Sequence, residues 1–277
     1  MRKFSLVLIL MGLSGSLFAQ VIPQPSPGAN ISQTVGITKI NVEYSRPGVK
    51  GRKVFGDLVK FGKVWRTGAN AATKISISND ITVNGMPLKA GKYAIMSIPE
   101  SQSWTLIFSK ELNINEENYT EDYDVLRVVS KVIPAEQTES FSIDFSDISE
   151  DKARMNFSWE KTRVSVDIAV NNRSALALEV ESRNDEAAAV FQQGAEYLVN
   201  KDIDLNYALE LIDKSILLKE TFRNNWVKSR ILEKTGKKEE ALKLLIKAKD
   251  MGDLDPVYQF YKEIIEASIQ KLSPKSK

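Results

Sequence analysis

Three arginines, Arg46, Arg52 and Arg66, fall within 21 positions, and the last of them sits in the run Trp65-Arg66-Thr67-Gly68-Ala69-Asn70. A guanidinium grips a carboxylate or phosphate through two parallel N–H bonds, so three of them converging would make an anion pocket. Trp65 can stack beneath Arg66, Thr67 and Asn70 can add neutral hydrogen bonds, and Gly68 permits close approach of the backbone. Arg46 precedes Pro47, which holds it in extended backbone. The expected ligand-binding set is therefore Arg46, Arg52, Trp65, Arg66, Thr67 and Asn70. The same residue types also serve structure. Arginines clasp backbone and pair with carboxylates such as Glu116, Glu117, Glu121, Asp122 and Asp124, and Thr67 to Asn70 can be a turn closed by an Asn side chain. Sequence leaves both readings open.

Composition narrows the chemistry. The chain has 0 histidines and 0 cysteines. That excludes His-dependent triads, His-ligated zinc or iron, a disulfide framework and a lipid-modified N-terminal cysteine. No catalytic residue, metal site or cofactor is expected. The enzymatic alternative is a hydrolase acting on a sugar or anionic small molecule, because a carboxylate pair does such work without histidine. The acidic residues Glu116, Glu117, Glu121, Asp122 and Asp124 could supply that pair, though nothing in the sequence fixes their separation; as a calcium site they miss the calcium-loop spacing and lack its glycine.

The formal net charge is +2, and without Arg2 and Lys3 the remaining 36 basic residues balance 36 acidic ones. Residues 39–92 nevertheless hold 11 Lys and Arg against 3 Asp and Glu, whereas residues 93–172 hold 7 against 15. Either the two halves pair across strands, or a basic face is left free for an anion. Nucleic acid is not an expected partner, because the aromatic residues sit at strand-alternating positions and do not accompany an excess of positive charge.

These residues need elements to position them. Met1-Arg2-Lys3, the apolar run Phe4 to Phe18 and Ala19 before Gln20 read as an export peptide over residues 1–19. The run is short of the roughly 20 residues that cross a bilayer, and nothing later approaches that length. An exported, soluble protein is expected, periplasmic or extracellular, with an uncleaved anchor as the alternative because Leu17 is large for its position. From Ile37 to Val170 apolar residues recur at every second position, as in Ile75 and Ile77, Trp104, Leu106 and Phe108, or Phe141, Ile143 and Phe145, so residues 20–173 are expected to form a β domain. Asn84-Gly85 marks a tight hairpin. Eight or nine short strands suit an antiparallel β-sandwich, and a closed barrel shares the same pattern.

Residues 174–277 change to helical period. A helix capped by Asn184 or Asp185 would bury Ala187, Val190, Phe191, Ala195 and Leu198, with further helices over Leu205 to Leu218 and Val257 to Gln270. Ala208, Ile212 and Ser215 recur 33 residues on as Ala241, Leu245 and Ala248, so this half resembles tetratricopeptide repeats. About two repeats fit where three are usual, so the helices must lean on the sandwich or on the additional helices. The fold class expected is α+β multidomain: an N-terminal antiparallel β-sandwich followed by tetratricopeptide-like helical hairpins.

The order Tyr44-Ser45-Arg46-Pro47, Lys50-Gly51-Arg52, Phe55-Gly56, Val64 to Asn70, Thr73, Ala90-Gly91-Lys92-Tyr93 and Asp124 to Val128 resembles the bacterial domain of unknown function 2911, over about residues 25–170. The resemblance implies an exported protein with a β-rich domain and implies no activity; the helical tail is similar to that of longer members. The resulting expectation is a non-catalytic binding or assembly module of the cell envelope. Its partners would be an envelope protein or peptide at the helical domain and an anionic small molecule at the arginines.

Overall fold

The computed structural model describes residues 23–253 and 255–274, so the export peptide expected over residues 1–19 lies outside the described residues. Among the described residues no helix is long and apolar enough to cross a membrane. The chain divides after Asn171 into two compact units.

Among the described residues the first unit is an antiparallel sheet of nine strands: β1 (Gly28–Val35), β2 (Thr38–Ser45), β3 (Thr73–Ile77), β4 (Ile81–Val83), β5 (Met86–Leu88), β6 (Gly91–Pro99), β7 (Ser103–Ser109), β8 (Asp124–Ser146) and β9 (Lys152–Val170). Their order is β1-β2-β3-β6-β7-β8-β9-β4-β5. Alternation decides the faces: in β2, Thr38, Ile40, Val42 and Tyr44 are buried while Lys39 and Glu43 meet water. The expected hairpin is present, with Val83 opposite Met86 and φ of 49° at Asn84 and 79° at Gly85, the left-handed angles such a turn requires.

Two strands are much longer than the alternation suggests. Register shifts between Pro134 and Thr138, and again before Ser142, bend β8 away from β7 and along β9. β9 doubles back at Glu160, whose φ is 55°. Val170 N donates to Asp151 O at 2.9 Å, and contacts of Arg154 with Asp167, Asn156 with Ser165 and Ser158 with Arg163 nest around that residue. At about 3.3 Å per residue a straight strand would hold these partners far apart.

The bends fold the sheet into two layers around one core. Ile40, Ile75, Ile95, Trp104 and Leu106 meet Phe141, Met155, Phe157, Trp159 and Val166 there. Among the described residues the ladder begins at β1 and ends at β5, so the unit is an open sandwich and not a closed barrel. β6 and β7 are covered on both sides. Ala94, Met96 and Ile107 pack with Ala72 and Ile114, which places the segment between β7 and β8 over their outer face.

The second unit comprises α1 (Asn172–Lys201), α2 (Leu205–Leu218), α3 (Phe222–Lys234), α4 (Lys238–Gly252), a 3₁₀ turn (Pro256–Phe260) and α5 (Lys262–Leu272). It has a core of its own, drawn from every element: Ala195, Ile212, Trp226, Leu245, Tyr258 and Ile265. Ala208, Ile212 and Ser215 on α2 and Ala241, Leu245 and Ala248 on α4 are all buried, so the 33-residue recurrence marks equivalent faces. Thr221 caps α3 with a reciprocal bond from Asn224, and Asp204 caps α2.

Three expectations for this unit are corrected. α1 begins at Asn172, not after Asn184 or Asp185, because residues 172–185 contain no glycine or proline and are rich in Ala, Leu and Glu. Val190 is 66% exposed, since the buried stripe runs through Ala188, Ala195 and Val199 and Val190 lies about 200° around from Ala188. The helix expected from Val257 is a 3₁₀ turn first, opened by Asp255, whose carboxylate accepts from Val257 N at 2.9 Å.

Candidate functional site

The segment between β2 and β3 has no ladder of its own, so its backbone groups must find partners elsewhere. Most of them find the neighbouring strands. Arg46 N donates to Pro27 O, Pro47 O accepts from Phe141 N, and Val49 N donates to Glu139 O, at 2.8 to 2.9 Å. Further on, Trp65 exchanges two backbone bonds with Ser97 of β6, at 2.7 and 2.8 Å.

The arginines complete this attachment. Arg46 Nε donates to Phe141 O at 3.0 Å. Arg52 Nε donates to Val49 O at 3.1 Å and its Nη2 to Gly48 O at 2.7 Å, closing a turn in which Lys50 and Gly51 take φ of 48° and 70°. Arg66 takes the one carboxylate: its Nε donates to both oxygens of Glu116 at 3.0 and 2.8 Å, its Nη2 pairs with the same group, and its backbone N donates at 3.0 Å. Its Nη1 donates to Asn70 O at 2.5 Å. Among the described residues this is the ion pair that joins residues 39–92 to residues 93–172.

The other residues of the run turn inward. Trp65 is buried with its indole donating to Gly68 O at 3.0 Å. Its ring lies on Trp159, 5.8 Å between centroids and 19° between planes, and meets the edges of Phe55, Trp104 and Phe141. The expected stacking beneath Arg66 is therefore replaced by aromatic packing; among the described residues the cation–π contacts lie in the helical unit. Thr67 is 0% exposed at φ 55°, its hydroxyl donating to Ser97 Oγ at 2.9 Å and its carbonyl accepting from Thr73 Oγ1 at 2.6 Å. Gly68 passes so close to β2 and β3 that a Cβ would stand 3.2 Å from Ser45 O and 3.3 Å from Thr73 Oγ1. Asn70 donates to Ser26 O at 3.0 Å and Ser45 Oγ at 3.2 Å.

A pocket of about 300 Å³ opens beside this attachment. Arg52, Leu58, Trp65, Ala69, Glu116 and Trp159 line it. Of the six expected site residues it brings Arg52 and Trp65 together. Arg46, Arg66, Thr67 and Asn70 shape the loop behind it. Arg52 Nη1 has no partner among the described residues and supplies the free donor. Sequence reading missed Trp159 as a wall, because its alternation on β9 marks only an inward residue and says nothing of which loop packs over it.

The electrostatics are those of a fixed pair. Partial burial alone would raise the Glu116 carboxyl, but the Arg66 guanidinium and amide bonded to it hold it below the usual carboxylate range. Glu116 thus stays ionised at neutral pH and is not a proton donor. It is the single carboxylate lining the pocket, so the pair that a glycosidase needs is not assembled there. Two of the other acidic residues, Glu121 and Asp124, are engaged elsewhere. Arg127 bridges Glu121 at 2.9 Å and Asp124 at 2.8 Å, and Tyr119 bonds the same Asp124 at 2.6 Å. Burial, reinforced by that carboxylate, pushes the Tyr119 hydroxyl up to about 12.

A family model described as "Protein of unknown function (DUF2911)" matches residues 26–168. No curated protein and no solved structure matches the chain.

Proposed function

The chain belongs to the DUF2911 family, which carries no assigned reaction; we propose that it is a non-catalytic binding module and, from the basic start and apolar run of residues 1–19, that it is exported to the cell envelope. The observation that supports this reading is the Arg66–Glu116 pair: the one carboxylate at the pocket is held ionised and immobile, so the pocket offers recognition without a proton donor. Arg52 is the contact for an anionic small molecule, Trp65 and Trp159 are the walls, and Arg46, Arg66, Thr67 and Asn70 hold the loop in shape. The helical unit, with its tetratricopeptide-like recurrence on α2 and α4, receives a peptide of an envelope partner.

Thermal denaturation in the presence of small carboxylates and phosphates tests the pocket. A ligand at 100 times its Kd adds about 2.7 kcal/mol of stability. Arg52→Ala removes two bonds to backbone carbonyls and should lower the unliganded stability by about 1 kcal/mol, and measured against that variant's own unliganded midpoint the ligand gain should be abolished; a gain that survives the substitution removes Arg52 as the contact. For the export reading, intact-mass measurement of the protein from an envelope fraction should give a chain beginning at Gln20.

A further inference from the structure

The outer face of β8 and β9 carries a second and larger concavity, an open groove of about 700 Å³ that none of the loop residues enters. It exists because β9 doubles back: the polar sides of its two halves lie next to each other, flanked by β8. Its floor is a preset hydrogen-bond chain. Ser165 Oγ donates to Asn156 Oδ1 at 2.7 Å, and Asn156 Nδ2 donates to Asp144 Oδ1 at 2.7 Å and Ser146 Oγ at 3.1 Å. Asn156 is 2% exposed, so this amide is held rigidly beneath the groove.

The charges on this face balance in number, three cations against three aspartates, but not in place. Arg154 takes both nearby aspartates, Asp147 at 2.7 Å and Asp167 at 2.9 Å, and Asp144 is occupied by Asn156. Arg163 spends only Nε, on Ser158 Oγ at 3.0 Å. Its two terminal nitrogens and the ammonium of Lys131 have no carboxylate partner among the described residues. Arg163 stands opposite Ile133, and Lys131 is two residues before Ile133 on the same side of β8. That diagonal places the two cations on neighbouring strands about 7–8 Å apart at the backbone, within the span of one bridging carboxylate or phosphate. Val129 and Ile133, 66% and 51% exposed, add an aliphatic strip along the groove.

We propose that this groove binds a small acidic sugar. The anionic group lies between Lys131 and Arg163, the hydroxyls meet Ser165 and its neighbours, and the C–H face of the ring covers Val129 and Ile133. The lining contains no aromatic residue, which disfavours a nucleotide base. A uronate and a sugar phosphate present the same chemistry, and both serve as probes.

Titration calorimetry with glucuronate, glucose 6-phosphate, glucose and inorganic phosphate, paired with amide chemical-shift mapping, decides it. One or both acidic sugars should bind about tenfold or more tighter than glucose and than phosphate alone. The perturbed amides should include Asn156 and Ser165, and Lys131→Met with Arg163→Met should weaken binding about tenfold or more with an unchanged urea midpoint. The proposal is overturned if neither acidic sugar binds, if glucose or phosphate binds equally well, if shifts cluster in residues 46–70 instead, or if the double variant keeps full affinity.

Discussion

The loop between β2 and β3 and the outer face of β8 and β9 both carry arginines, and they differ in how many of those cations are left without a partner. In the loop, Arg46 and Arg52 donate to backbone carbonyls and Arg66 is locked to Glu116. On the β8–β9 face Arg154 is likewise held by Asp147 and Asp167, but among the described residues Arg163 and Lys131 have no carboxylate partner. The difference follows from where the backbone bonds go. A strand satisfies its own N–H and C=O groups in the ladder, which frees its outward side chains. A loop lacks that ladder and recruits side chains to do the same work. A dense set of arginine, threonine, glycine and asparagine in a loop is thus first a sign that the loop is fastened.

The largest test of that contrast is Trp65→Ala. The ring is buried against Trp159, Phe55, Trp104 and Phe141, so its removal should cost about 3–5 kcal/mol in urea unfolding. A cost below about 1 kcal/mol, the size of an ordinary surface effect, would mean that the loop is not part of the core. On the β8–β9 side, Asn156→Ala strands the partners of a buried amide and should cost about 1–3 kcal/mol by the same measurement. A neutral result there would remove the rigid floor from the groove.

Arg66→Ala should cost less, about 1 kcal/mol, because its pair with Glu116 is partly open to water. It also has a pH signature. The folded-state carboxyl of Glu116 lies below its unfolded value, so its contribution is complete above about pH 4.3 and disappears as the pH falls through the lower folded value. Wild type and Arg66→Ala should therefore converge in stability on acidification below about pH 4. Curves that stay parallel would show that the carboxylate is not what Arg66 stabilises. The smallest effect belongs to Lys131→Met with Arg163→Met: within about 0.5 kcal/mol of wild type, since neither charge is paired. A large loss would show that these cations serve the fold and not a ligand.

Much of the architecture was legible because its causes are local. Period-two alternation in Ile75 and Ile77 or Phe141, Ile143 and Phe145, the left-handed turn at Asn84-Gly85, and the buried recurrence of Ala208, Ile212 and Ser215 as Ala241, Leu245 and Ala248 each depend on a few neighbouring residues. Where a local rule failed, the cause was also identifiable. Asn184 and Asp185 are favourable caps, yet they sit inside α1 because the preceding residues continue the helix.

The sequence by itself therefore determined strands first and helices second, the hairpin register, and the family to which residues 26–168 belong. Only the tertiary structure decided what the charged and polar residues do. Arg66 and Glu116 are 50 positions apart, and their pairing exists because the segment after β7 folds over β6 and β7. Asn156 meets Ser165 because β9 turns at Glu160, a bend that the sequence shows only as a change of phase, from Met155, Phe157 and Trp159 at odd positions to Val164, Val166 and Ile168 at even ones, without saying that the two halves then lie side by side. Periodicity records whether a side chain faces inward or outward; which distant side chain it meets depends on how the sheet closes.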